Sequence, residues 1–215
     1  MRRVYRVTHK NYSDVDIFER RLFNVYVMGL PRSGTSMMTH CVRLLGVNIV
    51  ETSESTEVKA QQDKRYKENF GEYHPNSEGF FEITTDITSN LLSIFRQPYS
   101  GCKMIIPVNG LRFDLVKASP SRVIVMLRKP ENIKASQEAF YSKRTNLAFV
   151  RTALVEQQRW LKKAEVPFLP VRYEEVLEDP RKELEKITAF INSPRSIAEA
   201  VRSVNPDMCR FSSNE

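Results

Sequence analysis

Cysteine is scarce in this chain. Its 215 residues hold three, Cys41, Cys102 and Cys209, far apart in sequence and never in a Cys-x-x-Cys pair. That pattern excludes a disulfide framework and predicts reduced packing residues. Histidine is equally rare, and His9, His40 and His74 show no metal-ligand spacing, so no zinc or other metal site is expected. No stretch approaches the ~20 apolar residues that cross a bilayer. The charged opening MRRVYRVTHKNYSDVDIFERR lacks the apolar segment of a signal peptide. Both absences predict a cytoplasmic chain without membrane insertion. Basic residues come as scattered pairs such as Arg2-Arg3, Lys64-Arg65 and Lys162-Lys163, with no run of five, which argues against a nucleic-acid partner. Internal repeats and low-complexity tracts are absent too.

What is present fits one globular domain over residues 1–215, with 41% hydrophobic and 27% charged residues. A chain of this length buries roughly 70% of the surface its unfolded form exposes, so a core needs no metal or disulfide. Lys plus Arg number 33 against 26 Asp plus Glu, a net charge of +7. With nucleic acid disfavoured, that excess points to an acidic surface or a phosphorylated small molecule.

Short apolar, β-branched runs at Phe23 to Met28, Met104 to Val108, Val123 to Leu127 and Val166 to Val171 alternate with segments of helical period. The alternation predicts an α/β fold built on a parallel sheet. Helices are predicted over Thr35 to Leu45, Thr85 to Phe95, Pro130 to Tyr141, Leu147 to Lys163 and Pro180 to Ile191, with Pro130 and Pro180 suited to a first helical turn. In the fourth of these, Leu147, Val150, Leu154, Gln158 and Leu161 form the stripe expected to face the sheet. Residues 51–78 are polar, keep no sustained period and interrupt the pattern. A segment of this kind reads either as a lid or acceptor-side insertion, or as a solvated connection.

The most informative stretch is Val25-Tyr-Val-Met-Gly-Leu-Pro-Arg-Ser-Gly-Thr-Ser36, a β-rich run meeting a glycine-containing loop that opens a helix. Phosphate cradles are built this way. Gly29 and Gly34 permit tight backbone turns, the N–H groups at the helix start face an anion, Thr35 and Ser36 add hydroxyl donors, and Arg32 adds a cation. Gly29 to Ser36 has the glycine spacing of the pattern G-x-x-x-x-G-K-[ST], but Thr35 stands where the lysine belongs. Losing the lysine that neutralises β- and γ-phosphate charge leaves a site poorly suited to ATP with magnesium. A nucleotide kinase is thus the alternative rather than the first reading.

Pro31-Arg-Ser-Gly-Thr-Ser36 resembles the P-[KR]-S-G-T-[ST] loop of the sulfotransferases that use 3′-phosphoadenosine-5′-phosphosulfate (PAPS). In that family the loop holds the 5′-phosphosulfate, which implies that role for Arg32, Ser33, Gly34, Thr35 and Ser36. The family's second motif is an arginine at the end of a central strand with a serine eight residues on, both holding the 3′-phosphate. Arg128 and Ser136 match it in context and spacing. A third resemblance runs from Phe168 to Ile191, a strand, Tyr-Glu turn, acidic-Pro and helix segment that implies Tyr173 near the adenine. The tail Val204 to Phe211 is similar, less specifically, to bacterial members. The implied fold is a three-layer P-loop-like α/β domain with a central parallel sheet.

The resemblance also implies the chemistry: in-line sulfuryl transfer from PAPS to a hydroxyl or amine, leaving adenosine 3′,5′-bisphosphate (PAP), with no metal. Arg32 and Lys103 are the candidate catalytic cations at the bridging oxygen. The cytosolic phenol and hormone enzymes carry a catalytic histidine two residues after the lysine, but Ile105 occupies that place here. Glu82 is the preferred general base, because Glu78-Gly-Phe-Phe-Glu82 resembles the G-[YF]-[YF]-E segment of many bacterial members. Glu51 and His74 are its rivals. The acceptor reads as a small molecule or glycan without further definition. A non-enzymatic polyanion-binding module stands beside the kinase as the second alternative.

Overall fold

The computed structural model describes residues 23–50, 99–105, 119–206 and the single positions 64, 67, 68, 81, 97, 116 and 117. Five strands form one all-parallel sheet: β1 (Asn24–Gly29), β2 (Asn48–Ile49), β3 (Ser100–Ile105), β4 (Ser121–Leu127) and β5 (Phe168–Arg172). Their order is β2-β3-β1-β4-β5. Helices α1 (Thr35–Leu44), α2 (Pro130–Tyr141), α3 (Leu147–Lys163), α4 (Tyr173–Glu178), α5 (Pro180–Ile191) and α6 (Ala198–Ser203) connect and flank them. This is the expected three-layer α/β architecture.

Burial explains the layers. Every residue of β1 is buried, as a strand covered on both faces requires. Val25 and Val27 of β1, with Ile124 and Met126 of β4, pack with Met38 and Val42 of α1 and with Leu184 and Ile187 of α5. The alternate residues Tyr26, Met28, Val123 and Val125 face the other way, onto Ile133 of α2 and Val150, Leu154 and Leu161 of α3. Pro170 sits in β5, which takes the sheet's edge position among the described strands and so tolerates the missing donor.

Local chemistry sets the helix ends. Pro130 and Pro180 occupy first turns. The Asn146 side chain accepts from the backbone N–H groups of Ala148 and Phe149 at 2.9 and 3.3 Å, and Asp179 accepts from that of Lys182 at 3.0 Å. Such N-caps contribute about 1 kcal/mol each. Helices α2, α3 and α5 have the predicted bounds, and α1 ends one residue early. The predicted helix from Thr85 to Phe95 lies outside the described residues.

Two expectations need correction. The third strand begins at Ser100 rather than near Met104. Ser100, Gly101 and Cys102 carry little β-branched signal, yet Gly101 is what lets β3 approach β1, because a Cβ there would lie 1.9 Å from the Val25 carbonyl oxygen. The apolar stripe of α3 includes Gln157, not Gln158. Gln158 instead donates to the Leu154 carbonyl oxygen at 3.0 Å. Strand β2 and helices α4 and α6 are too short for periodicity to reveal. The cysteine expectation holds where it can be seen, since Cys41 and Cys102 are buried thiols outside any disulfide. Burial pushes the Cys41 thiol up to about 11, with a smaller opposing effect from Ser203.

Gly101→Ala is expected to cost about 2–4 kcal/mol of stability, because the new methyl meets backbone rather than a flexible side chain. Urea denaturation checks this; a midpoint within error of the parent would contradict the close approach of β3 to β1.

Candidate active site

Strand β1 lies between β3 and β4, and the chain turns to opposite sides from it. In open parallel sheets the crevice at the carboxyl end of such a strand is where ligands bind. The loop leaving that end, residues 30–34, opens α1. Arg32 and Gly34 both adopt left-handed backbone conformations, at φ 70° and 92°. Gly34 is the N-cap of α1 and supplies no side-chain cap, so the first-turn N–H groups are not claimed by a capping side chain. Helix starts of this kind favour anions through their free donors and dipole.

Glycine is required at two points. A Cβ on Gly34 would stand 2.3 Å from Cδ2 of Tyr173, so the Tyr173 ring rests directly on the loop backbone. A Cβ on Gly29 would meet the Ser33 Oγ at 2.5 Å. Ser33 closes the loop from inside: its backbone N–H and its hydroxyl both donate to the Leu30 carbonyl oxygen, at 3.1 and 2.8 Å. The Ser33 side chain is fully buried in the turn.

Three cations from three elements converge here. Lys103, in the middle of β3 and 4% exposed, donates through Nζ to the Ser36 Oγ at 3.2 Å. The solvent-facing placement open to a lysine at a strand start is thereby excluded. Arg128, 8% exposed just beyond β4, donates through Nη1 to the Arg32 carbonyl oxygen at 2.9 Å, and its Cζ lies 4.6 Å from the Tyr173 ring centroid. Arg32 donates through Nε to the Ser136 Oγ at 3.1 Å and lies 5.0 Å over the Phe140 ring. The structure therefore joins Arg32, Ser136, Arg128 and Tyr173 in one continuous set of contacts, with Lys103 and Ser36 beside it. Thr35 is buried, its carbonyl accepting from Thr39 Oγ1 at 2.7 Å.

Supporting residues went unread in the sequence. Gln137 donates to the Pro31 carbonyl oxygen at 2.9 Å and holds the loop to α2. Phe140 lies one turn beyond Ser136, a spacing that places both on one helix face. Glu174 accepts from the Lys129 backbone N–H at 3.0 Å and from Asn132 Nδ2 at 3.3 Å, fixing the start of α2 against the start of α4. Glu82, Glu51 and His74 lie outside the described residues. Among the described residues, no helix is long and apolar enough to cross a membrane.

A family model described as a sulfotransferase domain matches residues 23–213. A search of the curated proteins finds no match to the sequence. Among solved structures, mouse sulfotransferase SULT7A1 complexed with PAP is similar at 18% identity and TM-score 0.55, over 89% of this chain and 68% of that one. Retinol dehydratase with androsterone and inactive cofactor PAP is 16% identical at TM-score 0.46, over 87% of this chain and 65% of its own. The chain thus spans about two thirds of the length of either protein. The SULT7A1 likeness, at that identity, speaks for the fold alone.

Gly34→Ala is expected to lose about 2 kcal/mol or more, from the left-handed backbone and from collision with Tyr173. In a Tyr173→Ala background only the backbone part, about 1–2 kcal/mol, should remain. A double-mutant cycle by urea denaturation checks the coupling, and strict additivity would refute it.

Proposed function

The chain belongs to the sulfotransferase domain family, matched over residues 23–213, and from that premise we propose that it moves a sulfuryl group from PAPS to a hydroxyl or amine. The kinase and polyanion-module readings are not favoured by that membership. One observation carries the choice of cosubstrate: Arg32, Lys103 and Arg128 gather beside the uncapped start of α1. A ligand with separated phosphate and phosphosulfate groups suits that donor set.

When bound, PAPS supplies a sulfuryl group already attached to a phosphate leaving group. The N–H groups and hydroxyls of Thr35 and Ser36 hold the 5′ end, while Ser33 keeps the loop closed. Arg128 and Ser136 hold the 3′-phosphate, and Tyr173 offers its ring toward the adenine. Because Arg32 shares a hydrogen bond with Ser136, an anion accepted by Ser136 lies within its reach as well. Lys103, through its contact with Ser36, places a second cation at the 5′ end, where negative charge grows during transfer. Glu82 takes the acceptor's proton onto its carboxylate, with Glu51 and His74 as rivals. The chain forms one domain in which residues 51–78 are a lid or acceptor-side insertion, and the acceptor is a small molecule or glycan.

Calorimetry with PAP and with ATP plus magnesium tests the class: micromolar or tighter PAP binding with little for ATP is expected, and the reverse preference would restore the kinase. Arg128→Ala should weaken PAP about ten- to a hundred-fold, the loss of one charge-assisted phosphate contact worth ~1.5–3 kcal/mol. Binding of adenosine 5′-phosphate should change little; equal losses for both ligands sink the 3′-phosphate role. A screen of alcohols, phenols, amines and sugars with PAPS identifies an acceptor. With it, Glu82→Gln should abolish turnover while PAP affinity stays within a few-fold, and retained turnover transfers the role to Glu51.

A further inference from the structure

We infer that Phe140 of α2 is a positioning residue for Arg32, its ring holding the guanidinium where the reaction needs a cation; the inference rests on the reading of Arg32 as a catalytic cation. Phe140 is 2% exposed, yet among the described residues it belongs to neither apolar layer of the core. Its ring meets a charge instead. The Arg32 guanidinium carbon lies 5.0 Å from the ring centroid. The Tyr141 ring stands at 85° to that of Phe140, 4.8 Å between centroids, and braces it from the same helix. The face of an aromatic ring attracts a cation, and the attraction grows as water is excluded.

Phe140 completes a grip on Arg32 that starts at the backbone. Arg32 takes φ 70°, a left-handed conformation that a non-glycine residue keeps only where its surroundings enforce it. Both peptide planes beside its Cα are held. Gln137 Nε2 donates to the Pro31 carbonyl oxygen at 2.9 Å, and Arg128 Nη1 donates to the Arg32 carbonyl oxygen at 2.9 Å. With the backbone set, the long side chain still has several bonds to turn about. The bond from Arg32 Nε to Ser136 Oγ, at 3.1 Å, fixes one point of the guanidinium but lets its plane swing. The Phe140 ring supplies the second point. Phe140 follows Ser136 by four residues and Gln137 by three, so one face of α2 holds the loop backbone, the Nε and the guanidinium carbon together. A charge aimed at a leaving oxygen works only when it is already in place, and misplacing a catalytic group by about 1 Å costs on the order of a hundred-fold in rate.

The test uses the full chain carrying Phe140→Leu, which keeps apolar bulk but removes the ring, Phe140→Tyr, which keeps the ring, Arg32→Ala, or Phe140→Leu with Arg32→Ala. Each protein is assayed for kcat and acceptor KM with the acceptor the screen returns, for PAP affinity, and for stability in urea. Phe140→Leu should lower kcat about ten- to a hundred-fold while acceptor KM and PAP affinity stay within about three-fold of the parent. Phe140→Tyr should recover most of the rate. In the Arg32→Ala background Phe140→Leu should cost no further rate, and the urea cycle should show the two side chains coupled. Unchanged kcat in Phe140→Leu would overturn the inference. A loss that lies in acceptor KM, which would make the ring an acceptor contact, or that recurs in full beside Arg32→Ala, or that Phe140→Tyr shares, would do the same. An Arg32→Ala protein with parental kcat sinks the catalytic reading of Arg32 on its own. The urea cycle then decides the contact, and strict additivity there overturns it.

Discussion

The functional corner of this protein hangs on a side chain that is not there. Because Gly34 has no Cβ, the Tyr173 ring settles on the loop backbone; because Tyr173 is there, Arg128 has a ring to lie against. Arg128 then donates to the Arg32 carbonyl oxygen, returning the chain of contacts to the loop where it began. This circuit ties the ends of β1, β4 and β5 together at the carboxyl edge of the sheet. It also holds Arg32 in a left-handed backbone conformation at φ 70°, costly for a non-glycine residue alone and tolerable when packing enforces it.

Electrostatics explains why such a corner is worth its strain. Like charges gathered in a small volume repel, and a helix dipole aimed at them adds to the positive potential. A multiply charged anion turns that cost into binding energy. Elsewhere on the molecule, cations pair with carboxylates in the ordinary way. Lys134 and Glu138 meet at 2.8 Å, and Arg151 and Glu131 at 2.6 Å, in each case holding the carboxyl below its usual range. Lys103 and Arg32, by contrast, include serine hydroxyls among their partners, and such partners can be exchanged for phosphate oxygens without breaking an ion pair.

Much of the fold was legible because its signals are local. Pro130, Asn146, Asp179 and the apolar period of α3 mark helix bounds through interactions within a few residues, and the observed bounds match. Where the signal is not local, the reading faltered. The start of β3 depends on Gly101 sliding past Val25, a residue 76 positions away in sequence, and composition carries no trace of that. The one-residue error between Gln157 and Gln158 has the same origin, since a helix's exact rotation is decided by what it packs against.

The site divides along the same line. Sequence by itself determined the strand-loop-helix from Gly29 to Ser36 and the parallel-sheet frame, because short local patterns of glycine, β-branched and helical residues mark them. Tertiary structure alone decided that Lys103 is buried against Ser36 and that Arg32 meets Ser136 across 104 residues. It also brought the Phe140 ring to Arg32. Those outcomes are contacts between distant segments, selected by packing and charge once the sheet has assembled, and no neighbour in sequence encodes them.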